Sequence, residues 1–180
     1  MANRHNHYEA AFADLLRQQR VPYVAVNESH RSWDQAGSLK SADFLVSPPG
    51  AQSWIIDIKG RRFPSGTRQK QYWRNWTTRD DVRSLAEWAR HLGQGIEPLL
   101  VFAFDVVGDR SPVPPAELHF FGERRYAFIA VRLADYLVGA KGLSSRWDTI
   151  SMPVATFRKQ GVSWHQLLEQ QRESALTPAW

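Results

Sequence analysis

The side chains best suited to chemistry in this chain are Asp43, Asp57 and Lys59, two carboxylates and an ammonium within the stretch Ser41–Arg62. Two runs of strand composition, Ala42–Val46 and Ser53–Lys59, flank the turn Pro48-Pro49-Gly50, so their outer ends fold back beside each other as a hairpin. Along the second run Asp57 and Lys59 are two apart and project from one face with Ile55, whereas Trp54, Ile56 and Ile58 point to the other. Adjacent carboxylates repel, and partial burial disfavours their ionised forms; a divalent cation bound between them would relieve both costs. The plainer alternative is a charged strand end in which Asp43 or Asp57 pairs with Lys59 or a nearby arginine.

A second pattern begins where the first ends. Arg61, Arg62, Arg68, Lys70, Arg74 and Arg79 follow Lys59 with no acid between Asp57 and Asp80, and Phe63, Tyr72, Trp73 and Trp76 are interleaved among them. Basic groups release counterions from phosphates, and flat rings offer stacking surfaces to unpaired bases, which makes Arg61, Arg62, Arg68, Lys70, Arg74 and Trp73 candidate nucleic-acid contacts. The competing reading is a solvated loop whose aromatic rings pack back on the core, and for Trp76 that reading is the stronger. Other chemistries find no footing: a Gly-x-Ser-x-Gly elbow, a Gly-x-x-x-x-Gly-Lys loop and a His-Glu-x-x-His pair are all missing.

The elements that must position these groups are legible from periodicity. Tyr8, Ala11, Phe12, Leu15 and Leu16 recur at helical spacing, which predicts a helix over His7–Gln19, and Asn6 with Glu9 three residues on forms a capping box. Val21–Val26 reads as a strand, and Asn27–Leu39, with His30, Arg31, Trp33 and the adjoining Lys40, as a polar loop, an ordinary surface loop ahead of a flap that touches a ligand. After the hairpin, Thr78 and Asp81 cap an amphipathic helix carrying Val82, Leu85, Ala86, Ala89 and Leu92 and stopped by Gly93. Pro98–Val107 is an almost unbroken apolar run, the pattern of a strand covered on both sides, and a helical crossover would set it parallel to the third strand. A further hairpin, Glu117–Phe121 with Tyr126–Val131, a short piece at Leu133–Val138, a brief strand near Trp147–Ser151 and a helix at Ser163–Arg172 extend this core. The expectation is one α/β domain spanning 1–180, with an αβββαβ core, a central mixed β-sheet flanked by helices and a C-terminal extension.

Asp43, thirteen intervening residues and then Asp57-Ile58-Lys59 at the end of an apolar strand resemble the PD-(D/E)xK signature of the restriction-endonuclease-like nucleases, which include archaeal-type Holliday junction resolvases. Ala42 stands where that family has its leading proline. The resemblance implies a hydrolase acting on phosphodiester bonds, with Mg²⁺ (Mn²⁺ as substitute) held by Asp43, Asp57, the Ile58 carbonyl and Glu9. Glu9 would match the family's first-helix acid, a role its position in the capping box does not preclude. It further implies that Lys59 orients or deprotonates the attacking water or donates to the scissile phosphate. DNA is the expected partner ahead of RNA, and a homodimer is left open. The alternative is a catalytically inactive nucleic-acid-binding or structural protein that keeps the fold.

Composition agrees with an anionic partner. The 180 residues carry a formal charge of +5 and a pI of about 9.8. Cysteine is absent, which removes disulfides and thiolate chemistry, and no apolar run approaches the roughly 20 residues of a membrane span. A soluble, cytoplasmic protein is expected.

Overall fold

In a computed structural model, which describes residues 6–26, 32–34 and 37–176, the chain runs α1 (His7–Gln18), β1 (Tyr23–Ala25), β2 (Ser32–Asp34), β3 (Gly37–Leu39), β4 (Phe44–Val46) and β5 (Ser53–Phe63). There follow β6 (Thr77–Thr78), α2 (Arg79–Leu92), β7 (Ile96–Val106), β8 (His119–Phe121), β9 (Arg124–Arg132) and α3 (Leu133–Gly139). The chain closes with β10 (Lys141–Ser144), β11 (Thr149–Ser151), α4 (Val154–Gln160), β12 (Val162–Ser163) and α5 (Trp164–Leu176). The main sheet has the order β1-β4-β5-β7-β9-β12, with β8 added on β9. Its first three strands form the expected antiparallel meander, and β5 and β7 are parallel from Ser53↔Ile96 to Phe63↔Val106. No helix among the described residues is long and apolar enough to cross a membrane.

Strict alternation along β5 divides the interior in two. Trp54, Ile56 and Ile58 meet Phe12, Leu15 and Leu16 of α1 and Trp164, Leu167 and Leu168 of α5, with Phe12 wedged between Phe44, Phe128 and Trp164. Ile55 faces the other side, where Val82 and Leu85 of α2 pack with Tyr136 and Phe157. Each fully buried apolar side chain of this size contributes about 1.5–3 kcal/mol, so the two layers clamp β5 from both sides. Gly60 sits where the start of α1 crosses β5: a Cβ there would come within 2.1 Å of the Tyr8 ring. Any side chain at that position would push the helix off the strand.

Several expectations need correction. The polar stretch before the hairpin contains a two-stranded ladder, β2 with β3, rather than a continuous loop; His30 and Arg31 lie outside the described residues. The third strand does not stop at Lys59 but continues to Phe63, because β7 supplies ladder partners for all 11 of its residues. Arg61 and Arg62 are therefore strand residues on opposite faces. Of a second small sheet, β10-β11-β6, only β11 matches an expected strand, that near Trp147–Ser151; β10 and β6 are short, and only tertiary pairing makes them regular. The helix α4 was also missed: its seven residues carry a single buried apolar anchor, Phe157, too little for a periodic signal.

Candidate active site at the end of the central strands

The geometry begins with where β4 ends. The Asp43 amide donates to the Ile56 carbonyl at 2.9 Å and its own carbonyl accepts from Val26, so its backbone is locked between β1 and β5. One step further along β5 the Ile58 amide donates to the Asp43 carboxylate, which takes the place of the backbone acceptor that a longer β4 would have offered. Asp43 is only 3% exposed. A residue's N–H and C=O leave a strand on the same side, so the Ile58 carbonyl is directed to this same margin, beyond the end of β4. Asp57 and Lys59 project to the face covered by α2, with their side chains 13% and 15% exposed.

Lys59 is the hub of an ion network. Its Nζ lies 2.7 Å from Asp57 Oδ2 and 2.9 Å from Asp81 Oδ2. Asp81 is the third residue of α2, where the Thr78 hydroxyl accepts from its amide and its carboxylate accepts in return from the Thr78 amide. The same carboxylate takes the Thr77 hydroxyl at 3.2 Å and the Lys40 ammonium at 2.6 Å. Burial opposes the charge on Lys59, but the carboxylates of Asp57 and Asp81 outweigh it and hold its pKa above the ordinary lysine value. Burial likewise opposes the charge on Asp81, and Lys59, Lys40 and Thr78 together depress its pKa below the carboxylate range. An ammonium held in this way is a charge and a proton donor, and it does not act as a base near neutrality.

The donor chemistry of this margin suits a hard cation. Two carboxylates and a backbone carbonyl are all oxygen, and Mg²⁺ is commonly held by one or two carboxylates while keeping several waters. Among the described residues, however, no three histidine or acidic side chains come together as a metal-holding group, so Glu9 does not join Asp43 and Asp57. The reason is topological. Glu9 belongs to α1, which packs on the Ile56 and Ile58 face of β5, whereas Asp57 projects to the opposite one. Glu9 is buried beside its own cap, where its carboxylate accepts from the Asn6 side-chain amide.

The basic run divides into three parts. Arg61 is half-buried on the Lys59 face, where its guanidinium lies 4.0 Å from the centroid of the Trp76 ring and donates to the carbonyls of Gly60 and Trp76. Burial, and then the neighbouring Arg74, lower its pKa to about 10. Arg62 turns to the other face and lines a cleft with Asp105, Arg124 and Arg125, away from Lys59. Arg68, Lys70 and Arg74 are exposed. Trp73, the expected stacking platform, is half-buried, with its ring packed edge-on against Phe63, Phe104 and Phe157. Asn75 fastens the run from below, exchanging hydrogen bonds with the Met152 main chain at 2.8 and 3.0 Å.

Sequence reasoning missed Asp81 as a member of the candidate site and placed Lys40 only with the polar loop before the hairpin. The signal for Asp81 was present in the Thr78 capping box: a cap at the N-terminus of the crossover helix after β5 sets its acid beside the outgoing end of that strand. The pairing of Lys40 with Asp81 had no such signal, since it depends on Trp88 and Ser84 of α2 bonding to the Lys40 backbone.

No family model matches the chain, and no curated protein sequence does. Among solved structures, Archaeoglobus fulgidus Hjc, a Holliday junction resolvase from an archaeal hyperthermophile, matches with a TM-score of 0.54 over 89% of this chain and 97% of that one, at 13% sequence identity. At that identity the likeness is one of fold. The chain shares with that structure a restriction-endonuclease-like fold, a central mixed sheet flanked by helices.

Proposed function

We propose that the protein is a Mg²⁺-dependent nuclease that hydrolyses phosphodiester bonds in DNA, with Mn²⁺ able to substitute. The observations that support this reading are the Asp43 carboxylate, which accepts from the Ile58 amide at the end of β4, and Asp57, the residue before Ile58 on β5, whose carboxylate lies 2.7 Å from the Lys59 ammonium. Asp43, Asp57 and the Ile58 carbonyl would hold the metal, which lowers the pKa of a bound water and neutralises charge on the transition state. Lys59, charged and aimed by Asp57 and Asp81, orients the attacking water or donates to a phosphate oxygen. Using it as a general base would require a proton to leave while two carboxylates hold it. Asp81 acts through Lys59 and is a positioning residue. Arg68, Lys70 and Arg74 supply the sequence-independent attraction to the backbone.

The fold neighbour is a Holliday junction resolvase, so a four-way junction is the first substrate to try, beside supercoiled plasmid. Cleavage in Mg²⁺ or Mn²⁺, absent in EDTA and lost in Asp57→Asn, is the expected result; full activity in Asp57→Asn would refute the site. A second reading, a DNA-binding protein without turnover, draws support from the tie between Lys59 and Asp81 and from the lack of a three-acid group among the described residues. Binding of the junction without cleavage in either metal would favour it.

A further inference from the structure

Beyond Arg61 the Lys59 face opens into a groove that plays no part in the chemistry described so far. One wall is the segment Gln71–Trp76 and the other is the β10–β11 hairpin. Two hollows of about 410 and 490 Å³ lie along it and share Arg74, Trp76 and Leu143. Each is large enough for a ligand of nucleotide size. Trp147, at the tip of the hairpin, is 68% exposed, and Leu143 is 57% exposed. Large apolar side chains gathered in one exposed patch mark an interaction site.

Charge selects the occupant. Arg74 lines both hollows, and the Arg146 guanidinium stands 5.3 Å from the Trp147 ring. Arg74, Lys141 and Arg146 are the cations of the two walls, and their one acid, Asp148, is paired with Arg79 at the start of α2 at 3.3 Å. An apolar protein partner would bury Arg74 at a cost, whereas a polyanion with flat apolar faces satisfies guanidinium and indole together. In a duplex the faces of the bases are hidden by stacking; in a single strand they are not. Continuity with the candidate active site runs through Arg61, which is two residues from Lys59 on one strand face and lies on Trp76.

We infer that this groove binds an unpaired stretch of the DNA substrate, with a base stacked on Trp147 and the backbone drawn to Arg74. The inference rests on the nuclease reading for its choice of DNA, but its test needs no turnover. Anisotropy of a labelled oligothymidylate and of a hairpin duplex of equal charge is measured in EDTA for the parent, Trp147→Ala and Trp147→Phe. Loss of one stacked base weakens single-strand binding about tenfold in Trp147→Ala, with a loss on duplex at least about fivefold smaller and with Phe restoring most of the affinity. Equal losses on both ligands, no loss, or no single-strand binding by the parent at low salt would overturn it. So would a dimer-to-monomer change of Trp147→Ala in sedimentation, which would assign the groove to a second copy of the chain. Failure of the nuclease reading is seen separately, as cleavage absent from the parent or undiminished in Asp57→Asn, whatever the binding result.

Discussion

Two neighbouring regions of this molecule carry charge in opposite ways. Around Lys59 the charges are sunk between the sheet and α2, alternate in sign and are tied to one another: Asp57, Lys59, Asp81 and Lys40 form one chain of contacts. A dozen residues on, Arg68, Lys70 and Arg74 are exposed and of one sign. The first arrangement fixes geometry at the cost of desolvation, as a group acting on one bond requires. The second fixes little and attracts a polyanion from a distance. Arg61 joins the two, being half-buried like the first and repelled by Arg74 like the second.

Breaking the tied region should have the largest effect. Asp57→Asn is expected to lower metal-dependent cleavage by at least ~100-fold, the scale of losing one electrostatic group at a phosphoryl centre, with the fold retained by circular dichroism. Lys59→Arg should keep more activity than Lys59→Gln, because the reading requires a permanent cation; equal loss in both would point to a requirement for the amine itself.

A smaller effect is expected from Asp81, which reports the network through stability. Asp81→Asn removes a charged partner of Lys59 and should cost about 2 kcal/mol in urea unfolding at pH 7. Because the folded pKa of Asp81 is depressed, its contribution is present above the unfolded value of about 3.9 and is lost as pH falls through the folded one. The parent should therefore lose stability on acidification below about pH 4 more steeply than Asp81→Asn. Parallel acid profiles would mean that the pair contributes nothing. The direction for Asp57→Asn without metal follows from the same contacts: its bond to Lys59 makes the substitution destabilising, where repulsion between Asp43 and Asp57 alone would make it stabilising.

The exposed region should respond most weakly in stability and most clearly in salt. Replacing Arg68, Lys70 and Arg74 together by Gln should change folding stability by less than about 0.5 kcal/mol per site. If each meets a phosphate, the slope of log affinity against log salt on duplex DNA becomes shallower by about 0.9 per lost contact. An unchanged slope would make the run a solvated face and leave Arg61 and Arg62 to explain any binding.

Much of this was written in local pattern. The period of two over Trp54–Lys59 placed Asp57 and Lys59 on one face, and the order of helix, meander, capped helix and apolar strand was enough for the central sheet and its parallel β5–β7 pair. Side-chain direction along a strand depends on backbone geometry alone, which is why that part needed no tertiary information. The exclusion of Glu9 and the packing of Trp73 depended on which face of the sheet each helix and loop came to cover, and Arg61 diverges from Arg62 because pairing with β7 extends β5 to Phe63. Spacing within the chain does not encode that. Asp81 meets Lys59 across 22 residues because a crossover helix starts beside the end of its strand, and only the packed sheet brings the cap acid and the strand lysine within 2.9 Å.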